Sequence, residues 1–189
     1  EVASGQVAED TMHWRRKLVE SIETAREQAR QRPGPVLLGG ERQGEKIEGF
    51  DLGNSPGEYT PAAVQSQTIL FTTTNGTRAL DRCQQATQVL VAGFVNLSAV
   101  ANRLKHAAPI HLLCAGTDGK VSLEDTLLAG ALVDRLFQQA TEPNPANDEA
   151  VIAQAAWLQA SQGDADIPWL TLLQQGLGGQ NLVRAGLSR

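Results

Sequence analysis

The stretch "HLLCAGTDGKVSLEDTLLAG" (residues 111–130) changes character within twenty residues. An apolar run ends at Cys114. A loop of small and charged residues follows, with Gly116, Asp118, Gly119 and Lys120. Ser122 then opens a helical pattern that reaches about Gln139. The order strand, polar loop, helix recurs upstream. Val36 to Leu38 is a short apolar run before a long polar loop. Ile69 to Thr72 precedes a helix from Thr77 to Cys83 and beyond. Val89 to Val91 precedes a helix capped by Asn96 or Ser98 that ends at Leu104. Such alternation predicts parallel strands joined by right-handed crossovers. The strands are apolar throughout and do not alternate, so both sheet faces should be covered. The expected fold is α/β, a three-layer α/β/α sandwich around a largely parallel or mixed central sheet. Ligands in such sheets bind beyond the strand ends, so the polar loops are best read as a group.

Outside that core, residues 9–31 read as one helix. Trp14, Leu18, Ile22, Ala25 and Ala29 form a single apolar stripe, with Asp10 or Thr11 as its cap. Pro33-Gly34-Pro35 stops it. "EPNPAND" (142–148) reads as a surface loop, and Asn147 as the cap of a helix carrying Val151, Ala155 and Leu158. A last short helix starts at Ile167-Pro168 and ends near Gly176. With 189 residues the chain is long enough for a single domain with a real core. Its 16 basic and 21 acidic residues give a net charge of −5, which argues against nucleic acid or an anionic membrane as partner. No apolar run approaches a membrane span of ~20 residues. No secretion signal is visible, and Cys83 and Cys114 sit in unrelated patterns. Both features fit a cytoplasmic, reducing setting.

Three loops carry the chemistry. "GGERQGEKIEGFDLGNSP" (39–56) combines glycines with Glu41, Glu45, Glu48 and Asp51 and with the cations Arg42 and Lys46. The bland alternative is a solvated loop with local ion pairs. Asn54-Ser55-Pro56, however, is turn chemistry that fixes a loop. "FTTTNGTRAL" (71–80) contains Asn75-Gly76, a dipeptide suited to a hairpin turn. No partner strand follows it. Ala79, Leu80, Cys83 and Ala86 have helical spacing instead. Thr72, Thr73, Thr74 and Thr77 then surround a helix N-terminus with Arg78 in its first turn, a place where an anion is favoured. In the opening stretch, Ser122 and Asp125 form a capping-box-like pair. Asp118, Glu124 and Asp125 are candidate ligands for a hard cation such as Mg2+. "CAGTDGK" differs from the Cys-x5-Arg loop of thiol phosphatases by Lys120, which lacks the arginine's fork. A cysteine at a strand end is more often buried and inert than nucleophilic. "GTDGKVS" has the wrong spacing for a P-loop. His13, His106 and His111 show no metal spacing. Together the loops suggest a Mg2+-assisted reaction on a small phosphorylated anion.

The blocks "GGERQGEKIEGFDLGNSPGEYT", "TTTNGTRAL" and "LCAGTDGKVSLEDTLLAG" closely resemble, in order and spacing over roughly residues 36–140, three signature blocks of the 2-phosphosulfolactate phosphatase family. The usual N-terminal strand block of that family, Asp-Val-(Leu/Ile)-Arg-Ala-Thr, has no counterpart in residues 1–32. The resemblance implies Mg2+-dependent hydrolysis of 2-phospho-3-sulfolactate to 3-sulfolactate and phosphate, a step toward coenzyme M. It also implies a three-layer α/β fold. On that reading Glu41 and Asp118 hold Mg2+ directly or through water, with Glu48, Asp51 and Asp125 as alternatives. Arg42, Arg78 and the segment Thr74, Asn75, Gly76 and Thr77 bind the substrate anion, together with Gly116 and Thr117. The nucleophile is a metal-bound water or Cys114. The partner is a small anionic phosphoester, and a homodimer is left open. Competing readings are a phosphatase of another 2-hydroxyacid phosphate and a non-catalytic anion-binding module.

Overall fold

The computed structural model of the chain describes residues 15–141, 145–162 and 168–184. The cap candidates Asp10 and Thr11, the apolar Trp14, His13, Ile167 and part of "EPNPAND" lie outside the described residues. The chain divides into two compact units, one through Val89 and one from Leu90 onward.

The first unit holds a four-stranded mixed sheet in the order β1-β4-β2-β3. Its strands are β1 (Arg15–Leu18), β2 (Val36–Arg42), β3 (Glu45–Lys46) and β4 (Thr68–Thr72). β4 runs parallel to both β1 and β2, with Leu70 opposite Lys17 on one side and Leu38 on the other. β2 and β3 form an antiparallel hairpin, Glu41 opposite Lys46. This corrects the expected helix over 9–31. Residues 15–18 are a strand, and only Ile22–Gln31 is helical (α1). Ser21 accepts the Thr24 N–H at 3.0 Å and starts α1 eleven residues after the expected cap, Asp10. A continuous apolar stripe fitted one helix. Pairing of residues 15–18 with β4 overrode that local preference.

α1 packs against β2 and β4. Val19, Ala25, Ile47 and Phe50 are buried together, with Ile22 and Leu38 against them. Ile69 and Leu70 of β4 are fully buried. Gly40 shows why β2 can lie so close to β4. Its φ is +147°, and a Cβ there would stand 2.0 Å from the Thr72 carbonyl oxygen. Short helices α2 (Pro61–Val64) and α3 (Gly76–Asp81) complete the unit.

The second unit is helical among its described residues. It comprises α4 (Leu97–Leu104), α5 (Leu123–Gln139), α6 (Asp148–Ser161), α7 (Pro168–Leu173) and α8 (Leu177–Arg184). Val100, Ala101 and Leu132 form its buried cluster, with Leu90, Ala92, Leu97 and Leu104 packed on it. α5 and α6 pack closely; a Cβ on Gly130 would stand 2.0 Å from the Ala153 carbonyl oxygen. The runs expected as strands at 89–91 and 110–114 join no ladder. Leu90 and Ala92 face the α4/α5 cluster, whereas Val91, Leu112 and Leu113 are exposed. The expected caps Ser122 and Asn147 do accept N3 amides, at 3.2 and 3.1 Å. Asn96 holds the cap position of α4, but its side chain ties Val91 and Gly93 instead.

Candidate functional site

The first unit brings two of the three loops together where the parallel strands β2 and β4 end side by side. Glu41 and Arg42 finish β2. Gln43 and Gly44, with φ of 55° and 84°, make the two-residue turn into β3. Thr73, Thr74 and Asn75 leave β4 and lead into α3. Glu41 joins the two loops. It is only 8% exposed. Its Oε1 accepts the Thr74 N–H at 2.8 Å. Its Oε2 accepts the Gly44 N–H at 2.8 Å and the Thr74 hydroxyl at 3.3 Å. Arg42 reinforces the same junction: Nη1 donates to the Glu41 carbonyl at 2.7 Å and Nη2 to Thr72 Oγ1 at 3.0 Å.

The threonine turn is closed by its own hydroxyls. Thr73 N–H donates to Thr77 Oγ1 at 3.0 Å, and Thr77 N–H donates to Thr73 Oγ1 at 3.3 Å. Thr77 is buried and Arg78 is exposed in the first turn of α3. Asn75-Gly76 therefore opens a helix, as the missing partner strand required. The N–H groups of Thr73, Thr74 and Thr77 all point to acceptors within the chain. Glu48 and Asp51 are exposed, and Asp51 Oδ2 accepts the Leu38 N–H at 2.8 Å.

In the second unit the opening stretch resolves into a tight turn and a cap. Thr117 and Lys120 exchange both main-chain hydrogen bonds, each at 3.0 Å. Asp118 and Gly119 between them have φ of 52° and 74°. Positive φ at both central residues is what a type I′ turn needs, and Asp-Gly is a favoured pair for it. Asp118 is exposed at the tip. The Asp125 carboxylate reaches back past Ser122 to accept the Gly116 N–H at 2.7 Å. Ser122 meanwhile donates to Glu124 Oε2 at 2.7 Å. Glu124 has a further role that its sequence position did not reveal: its Oε1 accepts the Gly179 N–H at 2.9 Å at the start of α8. The glycines of "GLGGQN" (176–181) carry the signal for this contact, since a Cβ on Gly178 would collide with that carboxylate.

Cys114 is an exposed residue whose Sγ faces the Asp125 carbonyl oxygen at 3.6 Å. Loss of hydration around the thiol is the first cause, and the Asp125 carboxylate the second, that push its pKa above the ordinary thiol value. Nucleophilic cysteines need the opposite shift.

Among the described residues no three His, Cys, Asp or Glu side chains gather into a metal-holding group. The candidate donors are all carboxylates, the oxygen chemistry Mg2+ selects. That ion takes only one or two protein carboxylates and completes its shell with water and substrate oxygens. No described helix is long and apolar enough to cross a membrane.

Comparison with known proteins agrees with the motif blocks. The sequence model of the family described as 2-phosphosulpholactate phosphatase matches residues 17–189. A "Probable 2-phosphosulfolactate phosphatase" of Thermotoga petrophila is 49% identical over 115 residues, covering 61% of this chain and 50% of that protein. Proteins of the same name from Synechococcus sp. RCC307 and CC9605 are 45% and 42% identical over 156 and 170 residues. Those matches cover 79% and 88% of this chain, and 61% and 68% of the relatives. The chain thus spans between half and about two thirds of the length of these curated relatives. On the match over residues 17–189, this chain belongs to the 2-phosphosulfolactate phosphatase family.

Proposed function

We propose that the chain carries a Mg2+-dependent phosphatase activity that hydrolyses 2-phospho-3-sulfolactate to 3-sulfolactate and phosphate, a step of the kind that leads to coenzyme M. The observation that supports this best is the family match over residues 17–189, which includes the Glu41–Thr74 junction. In the reaction water attacks phosphorus, the ester P–O bond breaks, and the released alkoxide takes a proton. Bound Mg2+ supplies Lewis-acid polarisation of the phosphoryl oxygens.

The chain's own residues bind and orient. Arg42 uses two of its five N–H donors on Glu41 and Thr72, which leaves a fixed guanidinium edge for an oxyanion. Arg78, exposed next to the rigid threonine turn, adds a second cation. The exposed carboxylate assigned to the metal is Asp118 of the second unit, with Glu48 and Asp51 of the first as alternatives. Cys114 serves as a small structural residue. The three-layer α/β/α architecture, the cytoplasmic setting and a homodimer belong to the same reading.

A phosphate-release screen with Mg2+ tests it. The panel includes 2-phospho-3-sulfolactate, 2-phospholactate and phosphoglycerates, each with and without EDTA. Fastest Mg2+-dependent release from the sulfonate ester is expected. Preference for a carboxylate ester would move the assignment to another 2-hydroxyacid phosphate. Phosphate binding without any turnover would make the chain an anion-binding module.

A further inference from the structure

Carboxylates in phosphatase loops are ordinarily read as metal ligands. The surroundings of Glu41 give it another use. Both of its oxygens are engaged by three donors from two different loops: Gly44 N–H, Thr74 N–H and Thr74 hydroxyl. The side chain is buried at the end of β2, and it spans from the β2–β3 turn to the loop after β4. Arg42 cross-links the same two strands from the adjacent position, through Thr72. The donors around the carboxylate are the kind that a bound anion attracts. Glu41 is therefore the anion on which this loop is assembled.

We propose that Glu41 is a positioning residue, not a Mg2+ ligand: it fixes the Thr73–Thr77 turn, and with it Arg78, by acting as the turn's internal anion. This rests on the phosphatase reading for its consequence in turnover, though not for its structural part. A ligand role would place a cation on a carboxylate already engaged by three donors, where it competes with the hydrogen bonds that anchor the turn. The Thr73–Thr77 hydroxyl exchange holds the far end of the turn, so loss of Glu41 should loosen the near end at Thr74 and leave α3 formed.

Glu41→Gln keeps the shape and leaves only one acceptor oxygen for the three donors. Three readouts are compared with wild type. Amide exchange followed by mass spectrometry should speed up by about tenfold or more in peptides covering 43–46 and 72–76, and nowhere else. The KM for the phosphoester should rise about tenfold, with a smaller fall in kcat. The half-saturating Mg2+ concentration should stay within about twofold of wild type. Glu41→Asp keeps the charge but is one methylene short of reaching both loops. It should behave like the glutamine variant, and it replaces that variant if the latter does not fold. Unchanged amide exchange together with a Mg2+ requirement raised about tenfold would overturn the proposal and make Glu41 a ligand. A wild-type chain that releases no phosphate from any ester would instead remove the phosphatase reading. In that case amide exchange alone decides: faster exchange over 43–46 and 72–76 in Glu41→Gln is expected, and unchanged exchange there overturns the positioning role.

Discussion

Two dipeptides of the same turn-forming kind behave in opposite ways. Asn75-Gly76 opens α3, because the Thr73 and Thr77 hydroxyls cap that turn. Asp118-Gly119 makes a type I′ turn closed by Thr117 and Lys120. The first outcome was legible, since no partner strand follows Asn75. The second was carried by Asp-Gly, although the sequence reading takes Asp118 only as a candidate ligand. The turn also makes Asp118→Asn a clean test, because asparagine suits positive φ equally well. The variant should fold and lose Mg2+-dependent turnover. Full turnover in a variant that EDTA still inhibits would remove Asp118 from the metal assignment. Cys114 has its thiol pKa pushed up by lost hydration and by Asp125, so the neutral thiol persists to higher pH than in a free cysteine. Alkylation by iodoacetamide, measured against pH in a Cys83→Ser background, should therefore rise later than for a free thiol, and Cys114→Ser should keep most activity. A dead but folded Cys114→Ser with a trapped phosphocysteine would reverse that assignment. Arg78→Lys keeps the charge and loses the planar fork. A loss in kcat/KM equivalent to about 1–3 kcal/mol is expected for one charge-assisted donor. Kinetics that barely change would leave Arg78 a surface residue of α3.

Among the elements, α5 and α6 were readable from their caps, because Ser122 and Asn147 act locally and their signal lies within four residues. β1 was not readable. Leu18 lies on the apolar helical stripe, the other three residues are basic, and only the distant β4 makes them a strand. The apolar runs at 89–91 and 110–114 failed in the opposite direction. They have strand-like composition, yet a strand needs a neighbour, and composition does not supply one. The junction of Glu41 with Thr74 was legible as two anion-suited loops at one sheet edge. That the anion between them is the chain's own carboxylate was not legible, because Glu41 and Thr74 lie far apart in sequence. Two stability measurements belong at this scale. Ser122→Ala removes the α5 cap and the acceptor of Asp125 N–H, so the urea midpoint should fall by an amount worth about 1 kcal/mol. Gly40→Ala places a methyl against the Thr72 carbonyl in a backbone conformation alanine rarely adopts. It should cost at least about 1–3 kcal/mol. A neutral Gly40→Ala would mean that β2 can move away from β4 without loss.

At the scale of the molecule, a net charge of −5 and the proposed substrate, with its several negative charges, are in tension. A local cationic site would resolve it, and under the proposed function Arg42 and Arg78 beside the anchored threonine turn supply that site. The family match runs over most of the chain, whereas the relatives are longer. Catalysis by these 189 residues is therefore the central expectation. Phosphate release from 2-phospho-3-sulfolactate by the purified chain, with Mg2+ and then with EDTA, measures it directly. Turnover with Mg2+ that EDTA abolishes and restored Mg2+ recovers is expected. Phosphate release that EDTA leaves unchanged, or none at all from a folded chain saturated with Mg2+, would contradict it.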